Sequence, residues 1–301
     1  MKTIRKQMEK HPLIYFFLFA YLTSWILWTP LMYGHFKLGW TNWEGNTWTN
    51  YKAILGLLGA LGPAISAIIM TAVIDGKNGV RSLLKRAVKW RVNIVWWLVA
   101  LYFWWLVCSI LAATYGFTSI KNIATGFAIS LINLPGLILI IQLPTLLIGM
   151  FGEELGWRGF ALPRLLNKYN PIISSLLLAL LWMFWHAPLA VFQEWRGNLP
   201  IDQFLLHYML LIVPMTLIIT YFFKKVKGSV LLAMVFHASI NLTFNAYSVA
   251  LRLDESYTAI LKEKLIIALW IIAGIIILHY LYKTYISQPK NKIQNAELLS
   301  T

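Results

Sequence analysis

Long apolar runs, separated by short basic or polar stretches, follow one another along the whole chain. Eight of them, at 13–33, 53–74, 92–114, 136–160, 171–191, 204–223, 229–249 and 265–285, each approach the ~20 residues an α-helix needs to cross a bilayer core. The pattern predicts an all-α, polytopic transmembrane helix bundle of about eight spans. A shorter apolar stretch, 123–135, ends at Pro135 and reads as a re-entrant or interfacial helix leading into the fourth span. By the placement of its polar motifs the chain divides into three parts. Residues 1–122 hold the first three helices, 123–250 a core carrying the motifs, and 251–301 the last helix and a polar tail. The end of that tail, 287–301, is expected to be disordered.

Composition supports this reading. The chain is 59% hydrophobic and only 12% charged, whereas soluble domains carry roughly 25% charged residues. A net charge of +15 would ordinarily suggest nucleic acid, but its distribution points elsewhere. Of the 26 Lys and Arg residues, 19 lie in alternate polar segments (1–12, 75–91, 158–170, 224–228 and 283–301), and seven lie in the segments between them. By the positive-inside rule both termini face the cytoplasm. The charge then lines one membrane face, where anionic lipid headgroups attract it. No basic folded domain exists to hold nucleic acid. The basic N-terminus followed by the run 13–33 is too long for a signal-peptide core and reads as a retained first span. Trp40, Trp43 and Trp48 read as an interfacial aromatic belt. Gly56, Gly59 and Gly62, with Pro63 next, read as a close helix-packing face. The lone Cys108 permits no disulfide within the chain and reads as a packing residue.

Six polar side chains break the apolar runs at helical spacing: Glu153-Glu154-x3-Arg158, then His186, then His237-x3-Asn241. Such groups are expensive in lipid and mark a functional site by default. Glu154 and Arg158, four apart, can pair within one helix. Glu153 points about 100° away and has no cation of its own, which suits a general base working near neutral pH. If the fourth span ended at Glu153, His186 would lie ~22 Å deeper, fifteen residues into its own helix at 1.5 Å each. A fourth helix embedded from about 143 to 164 removes the conflict and sets Glu153 near mid-depth. Trp182, one turn before His186, can wall the imidazole, and Pro188 should disturb the helix just beyond it. His237 and Asn241 share a helix face. His237 can donate a hydrogen bond or bind a metal, and the Asn241 amide can donate to an oxyanion; both could equally serve interhelical hydrogen bonding. His11, His35, His207 and His279 flank spans and read as interfacial.

This ordered trio resembles the CAAX-protease and bacteriocin-processing family of intramembrane proteases, also called the type II CAAX prenyl endopeptidase or Abi family. The family pattern is Glu-Glu-x3-Arg, Phe-x3-His and His-x3-Asn/Asp on successive membrane helices. The chain carries the first as Glu153-Glu154-x3-Arg158 and the third as His237-x3-Asn241, and places Trp182 where the second usually has Phe. The resemblance implies peptide-bond hydrolysis in or at the membrane. It implies that Glu153 and His186 activate a water, and that His237 and Asn241 form the oxyanion site. The substrate would be a membrane-associated, lipidated or leader-bearing peptide or protein, and the setting an integral multi-pass protein of a bacterial cell membrane. The family is often labelled metalloprotease, and Glu153, His186 and His237 could hold a zinc with an open position. The His-Glu-x-x-His helix of ordinary zincins is absent, which favours a metal-independent glutamate mechanism. Two other functions use the same residues: a non-enzymatic scaffold or bacteriocin-immunity protein, and a proton-coupled transporter with a Glu/His relay.

Overall fold

Side chains that point outward along α2 (Pro12–Phe36) are Ile14, Leu18, Leu22 and Ile26, one per turn and all exposed. The same apolar stripe recurs on α4 (Ile94–Thr114), through Leu98, Leu106 and Ile110. It recurs again on α11 (Glu255–Leu298), through Ile267, Ile271, Ile275 and Leu278. A water-soluble monomer seldom leaves apolar stripes of this extent uncovered, whereas lipid solvates them. With α1 (Lys2–Lys10), α3 (Gly62–Ala87) and the elements below, the computed structural model describes residues 2–36, 58–114, 150–195, 200–250 and 255–298. These are helical with no strand among them, as an all-α bundle requires, since a lipid-exposed backbone must satisfy itself within each segment.

The motif segment is built in three pieces: α5 (Phe151–Gly156), a π-helical stretch Trp157–Ala161, and α6 (Leu162–Leu166). It is followed by α7 (Pro171–Trp185), α8 (Ala187–Trp195), α9 (Ile201–Lys225) and α10 (Val230–Ala250). Among the described residues five helices, α2, α3, α4, α9 and α11, are long and apolar enough to cross a membrane, and α7 and residues 230–241 of α10 are shorter apolar helices. The expected fourth span lies only partly within the described residues; Trp40, Trp43, Trp48, Gly56 and the stretch 123–135 lie outside them.

Two boundaries correct the sequence reading. The second span does turn near residue 74, at Gly76 with φ 65°, but the helix resumes to Ala87, so most of the basic segment 75–91 is helix and not loop. The tail expected to be disordered from 287 is helical to Leu298.

Proline breaks recur, and at two of them the freed carbonyl finds a partner on another helix. Pro163 has no N–H for the Gly159 carbonyl, which instead accepts from Arg86 Nη2 of α3 at 2.7 Å. Pro214 inside α9 likewise frees the Leu210 carbonyl, which accepts from the Trp270 indole of α11 at 2.9 Å. The π-helical turn that begins at Trp157 is thus tied to α3 through one arginine.

α2 packs on α3, α3 on α5, α7 on α9, α4 on α10 and α9 on α11. Glycine lets the motif helix approach α3 backbone to backbone. A Cβ on Gly152 would stand 2.1 Å from the Ala60 carbonyl oxygen, and one on Gly156 2.4 Å from Pro63 Cβ. Gly59 and Gly62 serve α2 in the same way, against Trp28 and Ser24, as the glycine face predicted. Gly156→Ala is expected to cost about 1–3 kcal/mol through overpacking, visible as a lowered unfolding midpoint of the purified protein in micelles. An unchanged midpoint would mean the two helices can separate freely. The core beside this contact is aromatic: Phe16 stacks on Phe160 at 4.8 Å, Phe17 on Trp157 at 5.8 Å, and Trp185 meets Trp28 at 4.7 Å.

Candidate active site

Glu154 and Arg158 point into the bundle from the motif helix and are fully buried. Arg158 Nη1 donates to Glu154 Oε1 at 2.7 Å, the intrahelical pair expected from the four-residue spacing. His237 of α10 reaches the same oxygen through Nδ1 at 2.8 Å. One carboxylate oxygen therefore collects a guanidinium and an imidazole. The guanidinium carbon Cζ lies over the Trp182 ring, 4.8 Å from its centroid, a favourable cation–π contact. Glu154 Oε2 and Arg158 Nε and Nη2 are buried without a protein partner among the described residues, which leaves the cluster capacity to bind water or a substrate group.

Glu153 is placed differently. It is 8% exposed, and its Oε2 accepts a hydrogen bond from the Trp182 indole N–H at 2.9 Å. Among the described residues it forms no ion pair. The contact with Trp182 also fixes the relative height of two helices, since Glu153 sits level with a residue one turn from His186.

His186 lies at a helix break that the sequence imposes. Asn170 caps the start of α7, accepting from the Ile173 N–H at 2.9 Å, with Pro171 at the first helical position. Pro188 ends the regular ladder, and His186 sits at the junction, its carbonyl accepting from the N–H groups of Leu189 and Ala190. Its Nδ1 lies 2.9 Å from the Trp182 carbonyl oxygen, so Nδ1–H donates and Nε2 keeps its lone pair. The ring is enclosed by Trp185 at 4.7 Å and Tyr208 at 5.0 Å, with Trp182 at 6.1 Å.

Asn241 follows His237 by one turn but is exposed, and its amide reaches Met150 Sδ at 3.9 Å. It lines a groove of about 400 Å³ between α9, α10 and α11, with Leu211, Met215, Ile240 and Leu265 as apolar walls. The structure thus joins Glu154, Arg158 and His237 directly, sets Glu153 and His186 on the two ends of Trp182, and puts Asn241 at a groove mouth.

The sequence permitted Glu153, His186 and His237 to hold zinc. Among the described residues no three His, Cys, Asp or Glu side chains are close enough together to hold a metal ion. Two of the nitrogens such a site could use, Nδ1 of His186 and Nδ1 of His237, are already bonded within the protein. In this arrangement the three do not form a ligand set.

The motif reading missed the role of one residue of the site and the presence of another. Trp182 was expected as a wall, yet its indole N–H is the hydrogen-bond donor to Glu153, a role phenylalanine could not fill. A tryptophan in an apolar span must place its N–H somewhere, and that was the available signal. Tyr208, stacked on Phe204 at 4.2 Å and facing His186, had no motif to announce it.

Apolar stripes facing outward and a buried carboxylate–arginine–histidine cluster define the class, a multi-pass membrane protein built around an intramembrane polar site. Residues 135–243 match the family described as Type II CAAX prenyl endopeptidase Rce1-like. Over 245 residues the chain is 26% identical to the CAAX prenyl protease 2 of Methanococcus maripaludis, covering 75% of this chain and 82% of that relative. The matched stretch contains all three motifs, Glu153 to Asn241, so the resemblance they carry is found again by comparison: residues 135–243 are similar to an Rce1-like endopeptidase domain.

Proposed function

We propose that this protein hydrolyses a peptide bond of a membrane-associated substrate, with Glu153 as the general base. The observation that carries the reading is the contrast between two adjacent glutamates. Glu154 is held by a guanidinium and an imidazole, while Glu153, among the described residues, has a single neutral donor and no ion pair. A fixed ion pair next to an unpaired carboxylate gives one group for structure and one for proton transfer. Glu153 takes a proton from water as the water oxygen attacks the scissile carbonyl, and the proton passes on to the leaving nitrogen. His186, with Nδ1–H bound to a backbone carbonyl, offers Nε2 as an acceptor that orients the same water.

Asn241 and His237 serve the oxyanion. The Asn241 amide donates directly. His237 donates through Nε2 only when both ring nitrogens carry protons, a state that the Glu154 carboxylate at its Nδ1 would accompany. The groove beside Asn241 receives the apolar part of the substrate. A prenylated CAAX-type C-terminus is the substrate class that the relative's name suggests; a leader-bearing peptide is the alternative. The setting is a bacterial cell membrane.

The test compares protein termini in host membranes carrying the wild type or Glu153→Ala at matched expression. New termini appearing only with the wild type are expected and identify the substrate. Identical sets across growth conditions would instead favour a non-catalytic scaffold or immunity role.

A further inference from the structure

Away from the glutamates, at the end of the bundle where the turn 226–229 lies, lysines gather around aromatic rings. Lys224 ends α9, and on α11 Lys283 follows Tyr280 by about one helical turn. Lys224 Nζ lies 5.1 Å from the Tyr280 ring, Lys225 Nζ 5.2 Å from Tyr221, and the Arg91 guanidinium 5.4 Å from Trp90. The backbone beneath is stapled: Lys89 Nζ donates to the Lys227 carbonyl at 2.8 Å, and Ser229 Oγ to the Lys89 carbonyl at 2.7 Å. The three segments concerned, 84–96, 218–232 and 268–285, contain no Asp or Glu at all. Cations assembled without carboxylates call for an anion from outside these segments.

An apolar groove starts at the same place. It has a volume of about 300 Å³ and is lined by Trp96, Phe103, Tyr221, Phe236, Ile275 and His279. Tyr221 and His279, edge to face at 5.9 Å, stand at its basic end. The groove runs from His279 back along α11 to Ile272, seven residues or ~10 Å at 1.5 Å each. Its wall residue Ile275 is 61% exposed, so the groove opens toward the lipid-facing stripe of α11 and not toward the catalytic cluster.

We propose that this groove is a binding site for an anionic phospholipid, with the headgroup phosphate between Lys224 and Lys283 and an acyl chain along the groove. Charge complementarity selects the occupant: an anionic head for the lysines and an alkyl chain for the walls, joined in one molecule at the membrane surface. Cations that only set topology need no geometry. Here lysines from two helices converge on tyrosines at the mouth of an apolar channel, which a topological signal would not require. The site is independent of the proteolytic reading, and its test uses no activity.

The full-length protein in micelles is titrated with phosphatidylglycerol, with phosphatidylcholine of the same acyl chains, and with inorganic phosphate, and bound species are counted by native mass spectrometry. Preferential retention of phosphatidylglycerol is expected, with no competition from inorganic phosphate. Near an anionic headgroup each lysine strengthens attraction roughly fivefold, so Lys224→Gln/Lys283→Gln should weaken retention roughly thirtyfold. The control Lys77→Gln/Arg81→Gln removes two exposed charges from α3 and should change nothing. Ile275→Trp should block the groove with both lysines intact. A diazirine-bearing acyl chain should label residues 218–222 and 272–279. Equal retention of both lipids, equal effects of the two double substitutions, displacement by inorganic phosphate alone, or labelling elsewhere would each overturn the proposal.

Discussion

Glu153→Gln is expected to lower cleavage by about a hundredfold to ten-thousandfold while leaving the fold intact, because a positioned general base contributes roughly 10²–10⁴ in rate. The amide keeps an oxygen where Glu153 Oε2 accepts from the Trp182 indole, so packing and that hydrogen bond survive and only the proton acceptor is lost. Glu153→Ala differs in one respect: it also strands a buried indole N–H, at a cost of about 1–3 kcal/mol. Comparing the two substitutions separates chemistry from structure. Both should be inactive, but only the alanine form should unfold earlier. The assay is single-turnover cleavage of a substrate found by terminus comparison, with enzyme reconstituted in vesicles, alongside an unfolding curve for each form. A purified Glu153→Gln protein with full activity would end the glutamate mechanism, whatever its stability.

What the sequence disclosed depended on how local each interaction is. The Glu154–Arg158 pair was legible because four residues on one helix fix the distance, and it is found at 2.7 Å. The break after His186 was legible because Pro188 acts on its own backbone. His237 shows the limit. Its Nδ1 meets Glu154 across 83 positions of sequence, and no spacing rule could tell that contact from a free donor. Arg86 misled in the opposite sense. Counted by sign it belongs to a basic membrane face, yet it reaches inward to cap the Gly159 carbonyl that Pro163 leaves open. A charge tally treats each arginine as solvated, whereas a proline-broken helix in lipid needs donors from its neighbours. The same reasoning applied to Pro214 would have predicted a donor for the Leu210 carbonyl, and Trp270 supplies it. The extension of α3 to Ala87 was missed because polar residues 75–87 ended the apolar run without ending the helix. The height of Glu153 was a conflict on the sequence alone, and one indole hydrogen bond, invisible to periodicity, sets it level with Trp182.

Arg158→Met should give the largest loss of stability of any single change in the cluster, about 3–5 kcal/mol, since it leaves the buried Glu154 carboxylate with only His237 as partner. Burial sets the size of the effect: both side chains of the pair are wholly shielded, so water cannot replace the missing cation. Arg158→Lys keeps the charge but loses the guanidinium whose Cζ lies 4.8 Å from the Trp182 ring centroid, and an ammonium cannot reproduce the guanidinium's fork; its loss should be intermediate. The decisive comparison is the double change Glu154→Gln/Arg158→Met. Removing both charges abolishes the uncompensated carboxylate, so the double form should recover a large part of the stability lost by the single one. Equilibrium unfolding in mixed micelles measures all three. If the single and double forms lose the same amount, the pair is not electrostatically coupled and Arg158 acts through packing alone. If the double form recovers stability yet still cleaves, Glu154 and Arg158 serve only to hold the helices. If it recovers and does not cleave, the pair is also needed to position His237, because Glu154 is the one side chain that anchors its Nδ1.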